Sequence, residues 1–229
     1  MPYLKKVIPL PEPVDCRILT AALDLFVNKG FHNVSVHDVQ KQANVSIGSI
    51  YNHFGGKEGI AKELYNHLLI EMQDLVDCAI DDKDTAIDQC NEIIRQLFNY
   101  TESHRNIIAY IFHPRHNEFI TDEPPICNSS PFVSIRNIIQ QGMDAGEIKQ
   151  SNILIASSAI YGAPIRMIHL RLENVIEQPL PELCDEIIEL IWLGMKNKET
   201  KTKAKAKAKT KTKAKTKAKT KTKLSMVKK

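Results

Sequence analysis

The sequence predicts an all-α fold: an N-terminal three-helix domain with a helix-turn-helix, a C-terminal helical domain, and a disordered Lys-rich tail. Three observations carry this. Apolar residues recur at helical spacing through most of the chain, with no period-2 stretch to compete. Breaks fall at Asp81-Asp82, Pro114, Pro124-Pro125, Gly146 and Pro179, where loop chemistry is expected. Beyond Thr200 the chain becomes a Lys-Thr and Lys-Ala alternation with no apolar face to bury. The expected division is a flexible arm over 1–13, the reading domain over 14–56, the helical domain over 57–198 and the tail over 199–229.

The arm holds Lys5 and Lys6 but then Pro9, Pro11 and Pro13, where a signal peptide needs a continuous apolar stretch, so a cytoplasmic location is expected. Ser35 can cap a helix opening at Val36, and Asp38 stands where a capping-box acid reaches back. Val36, Val39 and Ala43 then form one narrow apolar face, with His37, Lys41 and Gln42 opposite. Asn44 suits a left-handed turn. Ser46 can cap a second helix in which Ile50 and Phe54 point inward and Ile47, Ser49, Asn52 and His53 point outward. Gly55 and Gly56 end it, and Lys57 at the next helix start offers a cation beside free N–H groups, a seat for phosphate.

The run Val45-Ser46-Ile47-Gly48-Ser49-Ile50-Tyr51-Asn52-His53-Phe54-Gly55-Gly56-Lys57-Glu58 resembles the recognition-helix signature of the TetR family of bacterial transcriptional regulators. Ile18 to Phe31, with Ala21, Ala22, Leu25, Phe26 and Lys29-Gly30-Phe31, is similar to the family's first helix. The resemblance covers roughly the first quarter of the chain. It implies that Ser35, Tyr51, His53 and Lys57 hold the DNA backbone, that Ser46, Ile47 and Ser49 face base edges, and that Asn52 lies on the same surface. Two positions depart from the pattern: Ile47, where a polar or basic residue is common, and Gln40, where alanine is usual. Isoleucine cannot hydrogen-bond a base, so it would pack on a thymine methyl or a sugar. The resemblance further implies a homodimeric repressor on a palindromic operator, released by a small-molecule effector, cytoplasmic and nucleoid-associated.

The remaining helices are expected over Lys57–Ile80, Thr85–Thr101, Arg105–His113, Pro131–Ala145, Asn152–Glu173 and Pro181–Lys196. In the first, Ile60, Leu64, Leu68 and Met72 or Leu75 point inward. The last two carry apolar surface beyond one domain's need, including Ile160, Met167, Leu170, Ile187, Ile191 and Trp192, and by the resemblance they form the dimer interface. Candidates for lining an effector pocket are Phe98, Tyr110, Phe112, Phe132, Tyr161 and Met167, although an apolar stripe is often plain core.

Other chemistries find less support. His104, His113, His116, Asp122 and Glu123 lie near one another in sequence, but Pro114 breaks the helix that would align the imidazoles, so neither metal nor cofactor is expected. His113, Glu118 or Asp122 as acid and base would need a pocket or cofactor fingerprint that is missing, so no enzyme and no catalytic residue is expected. The cysteines Cys16, Cys78, Cys90, Cys127 and Cys184 are odd in number and show no C-x-x-C, which argues against a disulfide scaffold; Cys127 is the candidate for a redox-active thiol. No apolar run is expected to span a bilayer, and no membrane partner is expected.

Residues 1–195 carry 15 basic and 26 acidic side chains, a net of −11, whereas 16 lysines follow from Lys196 against Glu199 alone. A lysine at every second position invites sequence-blind, salt-sensitive phosphate contacts, so the tail is expected to add non-specific DNA affinity. It can instead act as a solubilising segment or fold back on the acidic body. An architectural protein that binds DNA through the tail alone is the rival reading.

Overall fold

The computed structural model describes residues 12–112 and 126–197; expectations for the arm up to residue 11, for His113, His116, Glu118, Asp122 and Glu123, and for the lysine tail lie outside these residues. Among the described residues the chain is helical: α1 Val14–Lys29, α2 Val36–Ala43, α3 Ile47–Phe54, α4 Lys57–Ile80, α5 Ala86–Ser103, α6 Arg105–Ile111, α7 Ser130–Asp144, α8 Ile153–Leu172 and α9 Leu180–Met195. The fold is the all-α one expected, with a helix-turn-helix ahead of a helical domain. The first helix begins and ends earlier than the resemblance placed it. Pro13 precedes its first residue, Gly30 at φ 81° turns the chain out, and Phe31 opens a separate 3-10 turn over Phe31–Asn33.

Local chemistry explains the ends. Asp15 in the first turn of α1 and Lys29 in the last complement its dipole. Thr85 caps α5, accepting from the Asp88 N–H at 3.0 Å. Asn152 caps α8, its Oδ1 accepting from the Leu154 N–H at 2.9 Å.

Helix α4 is the shared element. It packs on α1, α3 and α6 at one end and on α5 and α7 along its length. Ile60, Leu64, Leu68, Met72 and Leu75 are all buried, as their spacing requires, within a core running from Ile18 to Trp192. The residue after α9 is tied down by an antiparallel bridge between Ile148 and Lys196.

Two expectations are corrected here. Of the residues counted as excess apolar surface, Ile160, Ile191 and Trp192 are buried in the chain's own core, the Trp192 indole N–H donating to Asn91 Oδ1 at 2.6 Å. The apolar side chains that α8 and α9 leave uncovered are Leu154, Ile155, Leu190 and Leu193, each 57% to 67% exposed. The helices roll so that their bulkiest groups meet α5, and leucines take the outer face. Secondly, α8 is by length and composition apolar enough to cross a membrane, with a mean hydropathy of 1.4. It packs here against α5, α7 and α9, with Arg166, His169 and Arg171 in its C-terminal half.

Candidate nucleic-acid interface and effector cavity

The turn between α2 and α3 is built as the residue types demand. The Ser35 backbone N–H donates to Asp38 Oδ2 at 2.8 Å and the Asp38 N–H returns a bond to Ser35 Oγ at 3.2 Å, a complete capping box. The Ser35 hydroxyl, donating to Asp38 Oδ2 at 2.6 Å, and then the Ser35 N–H hold the Asp38 carboxyl below the usual carboxylate range. Asn44 takes the left-handed conformation at φ 52°, ψ 54°. Gln40, the departure from alanine, has a purpose: its side-chain amide donates to the Val45 carbonyl at 3.0 Å and closes the turn. Arg17 braces the same turn from α1, donating to the Asn44 carbonyl at 3.3 Å.

Ser46 caps α3, accepting from the Ser49 N–H at 3.1 Å, with the two hydroxyls 2.8 Å apart. Tyr51, at 54% exposed, and the exposed Asn52 and His53 project from the helix, while Ile50 is fully buried. Ile47 and Ser49 are half-buried rather than free. The surface for reading bases is therefore narrow, with Ser46 and Ser49 already holding each other.

Lys57 and Ser35 come together on one shallow concavity, which also holds His32, Asn33, Asp38 and Glu58. Lys57 is not loose: its ammonium donates to the Phe31 carbonyl at 3.1 Å and stands 4.3 Å over the Phe31 ring. A phosphate arriving there meets a cation already fixed in place.

Sequence reasoning missed two groups. Gly59 sits in the first turn of α4, where a Cβ would stand 1.7 Å from the Phe54 carbonyl oxygen, so only glycine lets α4 close against the end of α3. The signal available was an isolated glycine inside a helical pattern. Asp24 on α1 accepts from Gln42 of α2 at 2.8 Å and from Asn106 of α6 at 3.1 Å. That three-helix junction has no local signature, since its members are far apart in sequence.

In the body, a cavity of about 250 Å³ lies among α4, α5, α7 and α8, lined by residues that include Met72, Leu97, Phe112, Phe132, Arg136 and Tyr161. Three of the six pocket candidates, Phe112, Phe132 and Tyr161, line it; the Phe112 and Phe132 rings meet edge to face at 6.5 Å. Phe98 is fully buried core. Tyr110 points the other way, its hydroxyl donating to the Ala61 carbonyl at 3.2 Å and tying α6 to α4. Met167 is half-buried and packs on the core away from the cavity. The Tyr161 hydroxyl is buried beside the Cys90 thiol, and burial first, then that thiol, raises its ionisation well above the usual phenol range. Burial also pushes the neighbouring Cys90 thiol up to about 12, which leaves it unreactive. Among the described residues no His, Cys, Asp and Glu group has a metal-holding arrangement.

A braced turn, a short helix presenting Tyr51, Asn52 and His53, and a fixed cation at the start of the next helix define a helix-turn-helix transcriptional regulator. Residues 18–64 match the family described as "Bacterial regulatory proteins, tetR family". That segment is of the TetR type, and the proteins to which the chain is similar are transcriptional regulators. It is similar to the fatty acid metabolism regulator protein of Bacillus subtilis (strain 168), 24% identical over 190 residues that cover 82% of this chain and 98% of that protein. Its fold is similar to that of the transcriptional regulator FadR from Bacillus subtilis, solved in complex with stearoyl-CoA: TM-score 0.67, 23% identity, 76% of this chain and 96% of that one. The fatty acid degradation regulator FadR from Bacillus halodurans matches with a TM-score of 0.68 at 16% identity, over 80% of this chain and 96% of its own.

Proposed function

We propose that the chain is a ligand-responsive repressor that binds a palindromic operator as a homodimer, associates with the nucleoid through DNA, and divides functionally into a reading domain (14–56) and an effector and dimerisation domain (57–198). The observation that carries this reading is the pair of uncovered faces: polar Tyr51, Asn52 and His53 on α3, and apolar Leu154, Ile155, Leu190 and Leu193 on α8 and α9. A symmetric dimer through the second face would present two copies of the first to two half-sites. Ser35, Tyr51, His53 and Lys57 would hold phosphates; Ser46, Ile47, Ser49 and Asn52 would meet base edges.

For the effector, the Bacillus subtilis relative solved with stearoyl-CoA makes an acyl compound the ligand of choice. The apolar cavity walls suit an acyl chain, and Arg136 in the lining suits its anionic end. Phe112, which lines the cavity, directly follows α6, whose Tyr110 binds α4 and whose Asn106 binds Asp24 of the head. A ligand that displaces Phe112 therefore moves the helix that touches both α1 of the reading domain and α4, which follows it.

The test is selection of bound sequences from a random duplex pool, followed by titration of the selected complex with stearoyl-CoA, with coenzyme A as control. Enrichment of a palindrome that survives excess random DNA and is released by the acyl compound alone is expected. Enrichment of nothing would replace the regulator with the architectural reading.

A further inference from the structure

Leu154 belongs to two places at once. It is 62% exposed on the outer face of α8, with Ile155 beside it, and it also lines the cavity of the body. Ser158 and Gly162, about one and two turns further along α8, are likewise exposed and likewise line the cavity. Met72, Leu97 and Tyr161, on its inner side, are buried. The cavity is therefore open on one side, and that side is the edge of the uncovered α8 face. Its volume of about 250 Å³ falls under the roughly 300 to 1,000 Å³ of sites that bury a drug-sized ligand. One chain alone thus offers an acyl compound apolar walls without full enclosure. A ligand there keeps apolar surface in water along Leu154 and Gly162, and whatever covers the face of α8 covers the ligand with it.

Charge indicates what that cover is. Helix α8 contains no acidic residue, and its exposed Arg166 is in line with Ile155, Ala159 and Gly162 at helical spacing. Helix α9 contains no lysine or arginine, and Glu182, Glu186 and Glu189 are exposed along it, as are Leu190 and Leu193. A basic helix and an acidic one, both with uncovered apolar side chains, make a surface that is self-complementary about a two-fold axis, where α8 of each copy can meet α9 of the other. Close approach is open as well. A Cβ on Gly162 or Gly194 would meet no atom within 4 Å, so the chain's own packing does not call for glycine at either position, although glycine lowers helix stability. The occupant that suits this face is a second copy of the chain.

We propose, resting on the dimer and the acyl ligand of the reading above, that the second copy forms the missing wall of the cavity, so that each ligand site is complete only in the dimer. Ligand and second copy then bind cooperatively: the occupied site strengthens the dimer, and dimerisation raises ligand affinity by the same factor. Release from an operator follows from a change in how the two heads are set within an intact dimer, not from separation of the copies.

The experiment compares the full-length parent with a Leu190→Glu, Leu193→Glu double variant, whose changed residues do not line the cavity. Sedimentation of fluorescently labelled protein over a dilution series gives the dimer dissociation constant with stearoyl-CoA or coenzyme A present. Calorimetry gives the affinity for stearoyl-CoA, and circular dichroism checks that the variant is helical. Stearoyl-CoA, unlike coenzyme A, should lower the parent's dimer dissociation constant at least about tenfold, and the monomeric variant should bind stearoyl-CoA at least about tenfold more weakly than the parent dimer. Equal stearoyl-CoA affinity in a folded, monomeric variant overturns the proposal, since the cavity is then complete in one chain. So does a parent dimer constant that bound stearoyl-CoA leaves unchanged or raises, a result that stands even where the variant does not fold. Failure of the underlying reading looks different: a double variant that sediments like the parent removes the face, a parent that does not bind stearoyl-CoA removes the ligand class, and the shared site falls with either.

Discussion

Two surfaces of this protein are left uncovered, and they are opposite in chemistry. Helix α3 exposes Tyr51, Asn52 and His53; α8 and α9 expose Leu154, Ile155, Leu190 and Leu193. The first is well solvated and can stand empty. The second loses roughly 25 cal/mol for every Å² of apolar surface left in water, so it favours a permanent cover. On the dimer proposed above, the difference separates the two partners: a second copy would come with the folded state, and the DNA would come and go.

The largest effect should come from charging the permanent face. Leu190→Glu with Leu193→Glu should leave the helices intact, since both side chains already face water, but weaken self-association by at least about 10²-fold in sedimentation, because four carboxylates would then meet across the dyad. DNA affinity should collapse with it. A double variant that sediments like the parent would remove this face from the interface.

Tyr51→Ala tests the other surface. A loss of about tenfold in affinity, or about 1.4 kcal/mol, is expected on every duplex alike, with self-association untouched. Ile47→Ala should instead change which sequence is enriched. If Tyr51→Ala bound DNA as the parent does, the assignment of backbone contacts on α3 would be wrong.

Within the body, Arg136→Ala should lower acyl-CoA affinity about tenfold in calorimetry and leave operator binding unchanged. Asn106→Ala should do the reverse of what a pocket variant does: ligand binds as before, but its effect on DNA affinity shrinks about threefold, since the α6 contact to Asp24 is gone.

The smallest effect belongs to Glu102, which accepts from Arg171 Nε and an Nη at 2.9 and 2.8 Å and from the Leu180 N–H at 3.0 Å, joining α5 to the α8–α9 connection. The Arg171 hydrogen bond first, then the Leu180 N–H, hold its carboxyl below the ordinary range. Its contribution to stability is therefore present above the unfolded value, about 4.3, and is lost as pH falls through the lower native value. A Glu102→Gln variant should melt below the parent at pH 7, and the gap should close under acid. A gap that persisted unchanged at the lowest pH would show that charge on Glu102 is not its source.

The ends of the reading-head helices were legible in the sequence because they depend on chemistry within a few residues. Ser35 with Asp38, Asn44, Ser46 and Gly55 each act on backbone groups within about four positions. The lining of the body's cavity was half legible: Phe112, Phe132 and Tyr161 line it, whereas Phe98, Tyr110 and Met167 carry the same apolar character and turn elsewhere. Periodicity says that a helix has an apolar side; it does not say which neighbour that side meets. The same limit misassigned Ile160, Ile191 and Trp192 to the outer face.

By itself the sequence determined where the helices start and stop, which segment reads DNA, and how charge divides between an acidic body and a lysine-rich end, because these follow from local hydrogen bonding, hydropathy period and simple counting. Tertiary structure alone decided that Lys57 is pinned over Phe31, that Gly59 must be glycine, and that Asp24 joins three helices. Each depends on the position of atoms distant in the chain. Only the packing of whole helices, each choosing its roll to bury the most apolar surface, brings those atoms together.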